Sequence, residues 1–374
     1  MDNVTHSLFA LTLARTRLGS VGRGVTAALV IASNAPDIDI ITAYRGTASY
    51  VKWHRGPTHG PLGIIGLGLA AALIVWAVDR WTYGTEDDPN RVKRASPPAS
   101  FVMLAGISML GVLLHVLMDF PTSYGTRLMS PFDWHWFAVD WMPIVDLYLL
   151  IALAAGLVFG HLTPETRRHN VAIALTLMAG IYAVRGAAHH RALTLAPRLF
   201  GPTLPQPCEG GSVSGSLVDR WPRSPALAPN SGRRCLVELA AMPTFLSPFR
   251  WRVVARLSNG YDLQDVDILD RRFSQSPSDA QALWRTTVHA PNQWGPPVFA
   301  ASRAPTAAIF LGFSRFPSVR TTVDANGLAT VRWVDMRFAG GLLTLNQPPA
   351  RPAPFAVVVR VDASHQIVDD QLER

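Results

Sequence analysis

The chain has 374 residues, enough for two domains, and 49% of them are hydrophobic against 16% charged. The formal charge of +8 rests on arginine, because only Lys52 and Lys93 are lysines. There is no Lys/Arg-rich run of the kind that marks a nucleic-acid patch, so no nucleic-acid partner is expected. The basic residues near apolar helices point instead to anionic lipid headgroups. The two cysteines, Cys208 and Cys235, exclude a four-cysteine zinc site. A disulfide between them and two separate thiols are both open.

The chain begins MDNVTHS, with an acid and no positive n-region, so a signal peptide is not expected and insertion falls to the chain's own apolar segments. Two short apolar runs, 5–14 and 24–36, are too short to span and predict a helical hairpin entering a membrane from one side. Four longer runs follow, 61–81, 101–120, 143–161 and 170–188, each approaching the length needed to cross about 30 Å of hydrocarbon. Arg15, Arg17 and Arg23 lie between the short runs, Arg91, Lys93 and Arg94 follow the first long run, and Arg167 and Arg168 follow the third. Counting spans alternately puts these clusters on one face, which the positive-inside rule makes cytoplasmic. Arg45, Arg55 and Arg127 run against that rule. The same count puts His6, Asp37, Asp39, His54, His59, Asp119 and the loop 121–142 on the opposite, outer face. That loop, PTSYGTRLMSPFDWHWFAVDWM, reads both as an interfacial aromatic belt and as a rim over a site.

After about residue 190 the pattern changes. Residues 201–234 are rich in Pro, Gly and Ser and read as linker and loops. FRWRVVARL (249–257), TVRWVDMRF (330–338) and FAVVVRVD (355–362) alternate apolar with charged residues, the period of a half-buried strand. The expected organisation is an α-helical multi-pass membrane domain with a metal site over 1–190, a linker over 191–234, and a smaller β-rich extramembrane domain over 235–374. The last of these is expected on the same outer face as the site.

The chemistry concentrates in four places. His115 and Asp119 stand four apart in an apolar run, hence on one face of a helix, one turn apart. They read either as ligands or as a hydrogen-bonded pair joining two helices. His54 and His59 flank Arg55, Gly56, Pro57 and Thr58, where Gly and Pro favour a tight turn that lets both imidazoles point inward. Asp37 and Asp39, in NAPDIDII, read as chelating carboxylates, or as a helix stop after which one Asp caps. His6 follows Asp2 and Thr5, either of which could cap the first helix. Nitrogen ligands mixed with carboxylates suit zinc or manganese, and seven such residues suffice for one or two ions with one aspartate bridging. Two ions would supply a hydroxide nucleophile and steady both oxygens of a displacement.

Together DNVTHS, PDID, HRGPTH and HVLMDFPTSYG followed by SPF resemble the YdjM-like family of membrane-bound metal-dependent hydrolases, over about residues 1–135. MPTFLSPFRWRVV (242–254) is similar to the appended region of longer members. The resemblance implies His6, Asp37, Asp39, His54, His59, His115 and Asp119 as the metal shell. A more distant likeness is to zinc-dependent phospholipases C, although His135 and Asp140 are wrongly spaced for a second His–Asp pair. The expected function is metal-dependent hydrolysis, through metal-bound hydroxide, of a phosphoester of a lipid or other membrane-associated substrate at the inner membrane. Asp39, Arg55 and Arg127 are candidate catalytic residues, the arginines for phosphate or transition-state charge. Tyr124 and Thr58 could orient the substrate, and His189 and His190 read as interfacial. A non-catalytic scaffold and a metal transporter or sensor are the alternatives.

Overall fold

A computed structural model describes residues 1–83, 97–201, 204–208, 218–222, 234–270, 287–292, 294–338 and 356–373. Arg91, Lys93 and Arg94, and half of the expected linker, lie outside the described residues. The chain forms two compact units, one of residues 1–41 and 53–184 and the other of residues 42–52 and 185–374.

The first unit is helical: α1 (Asn3–Ala14), α2 (Val25–Ala32), a 3-10 segment Ala35–Arg45, α4 (Pro61–Tyr83), α5 (Phe101–Asp119), α6 (Leu147–Leu162) and the first half of α7 (Arg167–Phe200). The short helix α3 (Thr47–Trp53) belongs mostly to the second unit. Asp2 caps α1 by accepting from the backbone N–H groups of Val4 and Thr5, and Ser100 caps α5 through Met103. The helices α4 and α5 pack closely because Gly68 has no side chain: a Cβ there would fall 2.6 Å from Met109 Cγ.

Among the described residues, three helices are long and apolar enough to cross a membrane: α4, α5, and α7 with the 3-10 turn before it. The run expected as a span over 143–161 gives only the 16 residues of α6. Asp146 caps that helix by accepting from Leu149 N–H at 3.0 Å, so the four residues from Pro143 to Asp146 stay outside it. The last helix is longer than expected and runs on to Phe200. The two short runs form α1 and α2, and α2 passes as a membrane segment only when taken together with Ala35–Arg45, from which it is bent by 40°.

The second unit carries two four-stranded antiparallel sheets. Two short strands come first, β1 (Trp136–Ala138) in the first unit and β2 (Asp219–Trp221) in the second. One sheet orders β3 (Leu236–Pro243), β4 (Arg250–Leu257), β5 (Gly260–Asp267) and β6 (Val288–Pro291) as a meander. The other orders β10 (Ile367–Glu373), β9 (Ala356–Val361), β8 (Ala329–Asp335) and β7 (Pro317–Val323). The three alternating segments of the sequence are β4, β8 and β9. The C-terminal half of α7 packs through Ala192, Leu195 and Leu199 on Trp251, Val253 and Ala255 of β4. The helices Pro296–Ala301 and Pro305–Phe313 cover β8 and β9 through Val298, Phe310, Val331, Trp333 and Val359. Cys208 and Cys235 form a disulfide. The MPTFLSPFRWRVV segment is the end of β3, a turn and the start of β4. Buried Arg185 supports that turn by donating to the carbonyls of Thr244 and Ser247.

Candidate metal centre

The helical pattern of α5 puts His115 and Asp119 one turn apart, with His115 Nε2 3.5 Å from Asp119 Oδ2, both side chains buried. The ring of His115 is oriented from outside its own helix. Its Nδ1 lies 2.7 Å from the backbone carbonyl of Ser33, at the end of α2. A carbonyl only accepts, so the proton sits on Nδ1 and Nε2 presents a lone pair.

His59, just before α4, faces that lone pair. Its Nε2 is 3.3 Å from His115 Nε2 and 3.4 Å from Asp119 Oδ2. Asp37, in the first turn of the 3-10 segment, adds Oδ1 at 3.6 Å from His115 Nε2 and 3.9 Å from His59 Nε2. These four atoms lie within 4.8 Å of one another. A tetrahedral zinc site with ligands at roughly 2.0–2.1 Å has edges of about 3.3–3.4 Å. The observed spacings are those of a ligand set slightly expanded around one centre. Two imidazole nitrogens facing each other beside two carboxylates make a concentration of acceptors, and a divalent cation is the partner that such a set fits.

His6, on α1, stacks on His115 with ring centroids 3.9 Å apart and sits 3.4 Å from Asp119 Oδ1. It is fully buried, and neither ring nitrogen makes a hydrogen bond. Burial of an imidazole without hydrogen bonds is costly, and a cation would relieve that cost. The N-terminal ammonium of Met1 also pairs with Asp119 Oδ1. Asp119 therefore turns one oxygen to His59 and His115 and the other to His6.

Asp39 and His54 stand beside this group rather than in it. Asp39 Oδ1 meets His54 Nδ1 at 3.0 Å, and Oδ2 accepts from the backbone N–H of Arg55 at 2.7 Å and from Thr58 Oγ1 at 3.4 Å. One carboxylate thus organises the HRGPTH loop. Arg55 is held with φ at +50°, a left-handed conformation unusual for a residue with a side chain, next to the site it serves. Thr58 Oγ1 also lies 3.0 Å from His59 Nδ1 and helps fix that ring. Burial holds His59 well below the ordinary imidazole range, with His115 as the next cause. Burial also lowers His54, against the hydrogen bond from Asp39, which raises it. Both imidazoles are therefore neutral at neutral pH.

The two arginines are committed inside the protein. Arg55 puts Nη2 3.0 Å from Asp119 Oδ2 and donates from Nη1 to Thr122 Oγ1 and the Gly125 carbonyl, its guanidinium lying over Tyr124. Arg127 is buried over the rings of Trp134 and Trp136, and burial pushes it down to about 10, still cationic at neutral pH. His135 pairs with Asp133, two residues away. The Ser33 carbonyl, the Met1 ammonium and the pair Thr122 and Gly125 are site partners that the sequence reading did not name. Only Thr122 and Gly125, inside the PTSYG motif, left a signal there.

Among curated proteins, the chain is similar to the uncharacterized protein YfhP of Bacillus subtilis (strain 168), 28% identical over 165 residues. That match covers 42% of this chain and 45% of the relative, so the chain spans about half the length of the relative it matches. No solved structure matches, and the distant likeness to zinc-dependent phospholipases C gains no support there. Residues 1–192, which hold the three helices long and apolar enough to cross a membrane, except the end of α7, and every residue of the centre, match the model described as YdjM inner membrane protein, and the chain belongs to that family of membrane proteins.

Proposed function

We propose that this protein is a membrane-bound metal-dependent hydrolase that cleaves a phosphoester of a lipid or another membrane-associated substrate. The observation that carries this reading is the convergence of Asp37, His59, His115 and Asp119, with the Nε2 atoms of the two histidines 3.3 Å apart. These four would hold an ion, zinc in preference to manganese. His6, beside the other oxygen of Asp119, would be a ligand to any second ion. A divalent ion held there supplies Lewis acidity and a nucleophile at neutral pH.

The other residues act by positioning. Arg55 holds Asp119 at 3.0 Å and keeps its carboxylate turned to the imidazoles. Asp39 fixes His54 and the backbone of the loop that presents His59, and Arg127 braces the same loop through its N–H bond to the Arg55 carbonyl. Asp39, Arg55 and Arg127 thus serve the reaction through the ligands they hold. Taking α6 as a fourth crossing puts the second unit on the outer, oxidising face, a location that the Cys208–Cys235 disulfide supports. Arginines 15, 17 and 23 then mark the cytoplasmic face of a multi-pass inner-membrane protein.

The test is metal content by mass spectrometry of detergent-purified protein, with His59→Ala and Asp119→Ala beside it, followed by a phosphoester screen of the metal-loaded protein. One or two equivalents, lost in both variants, together with phosphoester cleavage, is the expected result. Protein that neither carries nor takes up metal would sink the reading and leave a membrane scaffold.

A further inference from the structure

We propose that the way into the metal centre is an apolar lip lying among the acyl chains of the bilayer, so that the substrate is a bilayer-resident amphiphile that reaches the ligands sideways, head first. The chemistry at the ligands rests on the hydrolase reading, whereas the position of the lip does not.

Exposure locates the entrance. The side chains of His59, His115 and Asp119 are at most 1% exposed, and Asp37 is 18% exposed. Of the four ligands, Asp37 is the one that opens to the outside. The residues around Asp37 on the 3-10 segment are apolar and open: Ile38 is 51% exposed, Ile40 63% and Ile41 54%. Three open isoleucines within four positions, beside an ionisable ligand, make a poor surface to show to water. Ile31 of α2, which leads into this segment, is also exposed. Together the two elements have the apolarity of a membrane segment, broken by a 40° bend where the chain turns its carboxylates inward. Backbone irregularity at membrane depth is tolerated where it lines a polar cavity, and here it carries the ligand aspartate.

The lip therefore has one natural occupant, the acyl chains of lipid. A water-soluble phosphoester gains nothing from crossing it. An amphiphile keeps its chains on Ile38, Ile40 and Ile41 while its anionic head reaches Asp37 and the ions behind it.

The experiment uses the full chain in phosphatidylethanolamine and phosphatidylglycerol vesicles, with Ile38→Cys and Ile40→Cys each carrying a nitroxide. Both native cysteines are tied in a disulfide, so the label goes to the new thiol. Collision rates with oxygen and with an aqueous nickel chelate are compared, with Asn326→Cys in an exposed turn as the reference. The expected result is a ratio of oxygen to nickel accessibility at least tenfold higher at 38 and 40 than at 326. Nickel-dominated relaxation at 38 and 40 overturns the proposal, and so does shielding from both reagents, which means that protein covers the lip. If the lip lies in lipid but metal-loaded protein cleaves no phosphoester, the hydrolase reading fails and the lip stands. If nickel dominates while a soluble phosphoester is cleaved, the lip fails and the hydrolase reading stands.

Discussion

Each unit buries a cluster of ionisable side chains, and the two are built on opposite principles. In the second unit, Arg315 donates to Glu238 from Nε and Nη2 at 3.1 and 2.9 Å, pairs with Asp219 at 2.8 Å, and gives its backbone N–H to Asp335. Arg337 donates to Asp335 at 2.8 Å and to the Phe313 carbonyl at 3.1 Å. Cation meets anion and donor meets acceptor, so the network is closed. In the first unit, His59 Nε2 faces His115 Nε2 with Asp119 and Asp37 beside them, and His6 has no hydrogen bond. Arg55 and the Met1 ammonium pair with Asp119, yet the imidazoles and Asp37 converge on one point, with no arginine or ammonium paired to Asp37 among the described residues. Buried charge alone says little about function, because structural networks also bury charge. The balance of donors and acceptors is what separates a ligand set from a strut.

The comparison is tested most directly by removing one member from each cluster. His59→Ala or Asp119→Ala is expected to abolish bound metal and reduce hydrolysis to background. Zinc at a hundred times its dissociation constant is expected to stabilise the wild-type first unit by about 2.7 kcal/mol and neither variant, as read by thermal unfolding with and without chelator. A response of both variants to zinc would mean that the ions sit elsewhere. Arg315→Leu is the counterpart. Breaking the buried pairs of Arg315 with Glu238 and Asp219 is expected to cost about 3–5 kcal/mol, seen as a lower denaturant midpoint. Metal content is expected to stay unchanged, and loss of metal in Arg315→Leu would erase the distinction between the clusters.

How much of this was legible in the sequence depended on the distance over which each contact is set. His115 and Asp119 share one helix face, so a spacing of four residues was enough. Asp37 and Asp39 looked equivalent, yet they diverge. With about three residues per turn, positions two apart on a 3-10 helix point to different sides, one to the ligands and the other to the HRGPTH loop. His54 and His59 diverge likewise, because a tight turn does not dictate where each ring points. The Ser33 carbonyl that orients His115 is a backbone group 82 residues away and leaves no trace in side-chain spacing. Among the strands, β8 alternates cleanly between buried and half-buried positions and was readable. Leu236–Pro243 is buried at six of eight positions, five of them consecutive, so the period-two signal was absent.

Asp39 sharpens the line between ligand and support. If it acts by holding His54, the Arg55 backbone and Thr58, Asp39→Asn leaves the four ligands in place but loosens the loop that presents His59. Loss of a supporting hydrogen-bond partner typically costs about 10–100-fold in metal affinity. The expected result in a competition titration is a weaker site with unchanged stoichiometry. Loss of a whole equivalent of metal would make Asp39 a ligand.

The smallest effect belongs to the closed side of the comparison. Tyr261 of β5 is fully buried and donates its hydroxyl to the Pro317 carbonyl at 2.9 Å. Burial pushes the phenol up to about 12. An unfolded tyrosine ionises near 10, so the folded state retains a proton that the unfolded state releases between pH 10 and 12. The stabilising contribution is complete below pH 10 and is lost as pH rises through 12. Tyr261→Phe is expected to be less stable than wild type at pH 8, for want of the hydrogen bond, by about 0.5–1.5 kcal/mol. It is also expected to lose less stability between pH 9.5 and 11.5, so the two denaturation midpoints converge with alkali. Parallel curves would show that Tyr261 keeps contact with solvent, and that the second unit is less completely closed than its hydrogen bonds indicate.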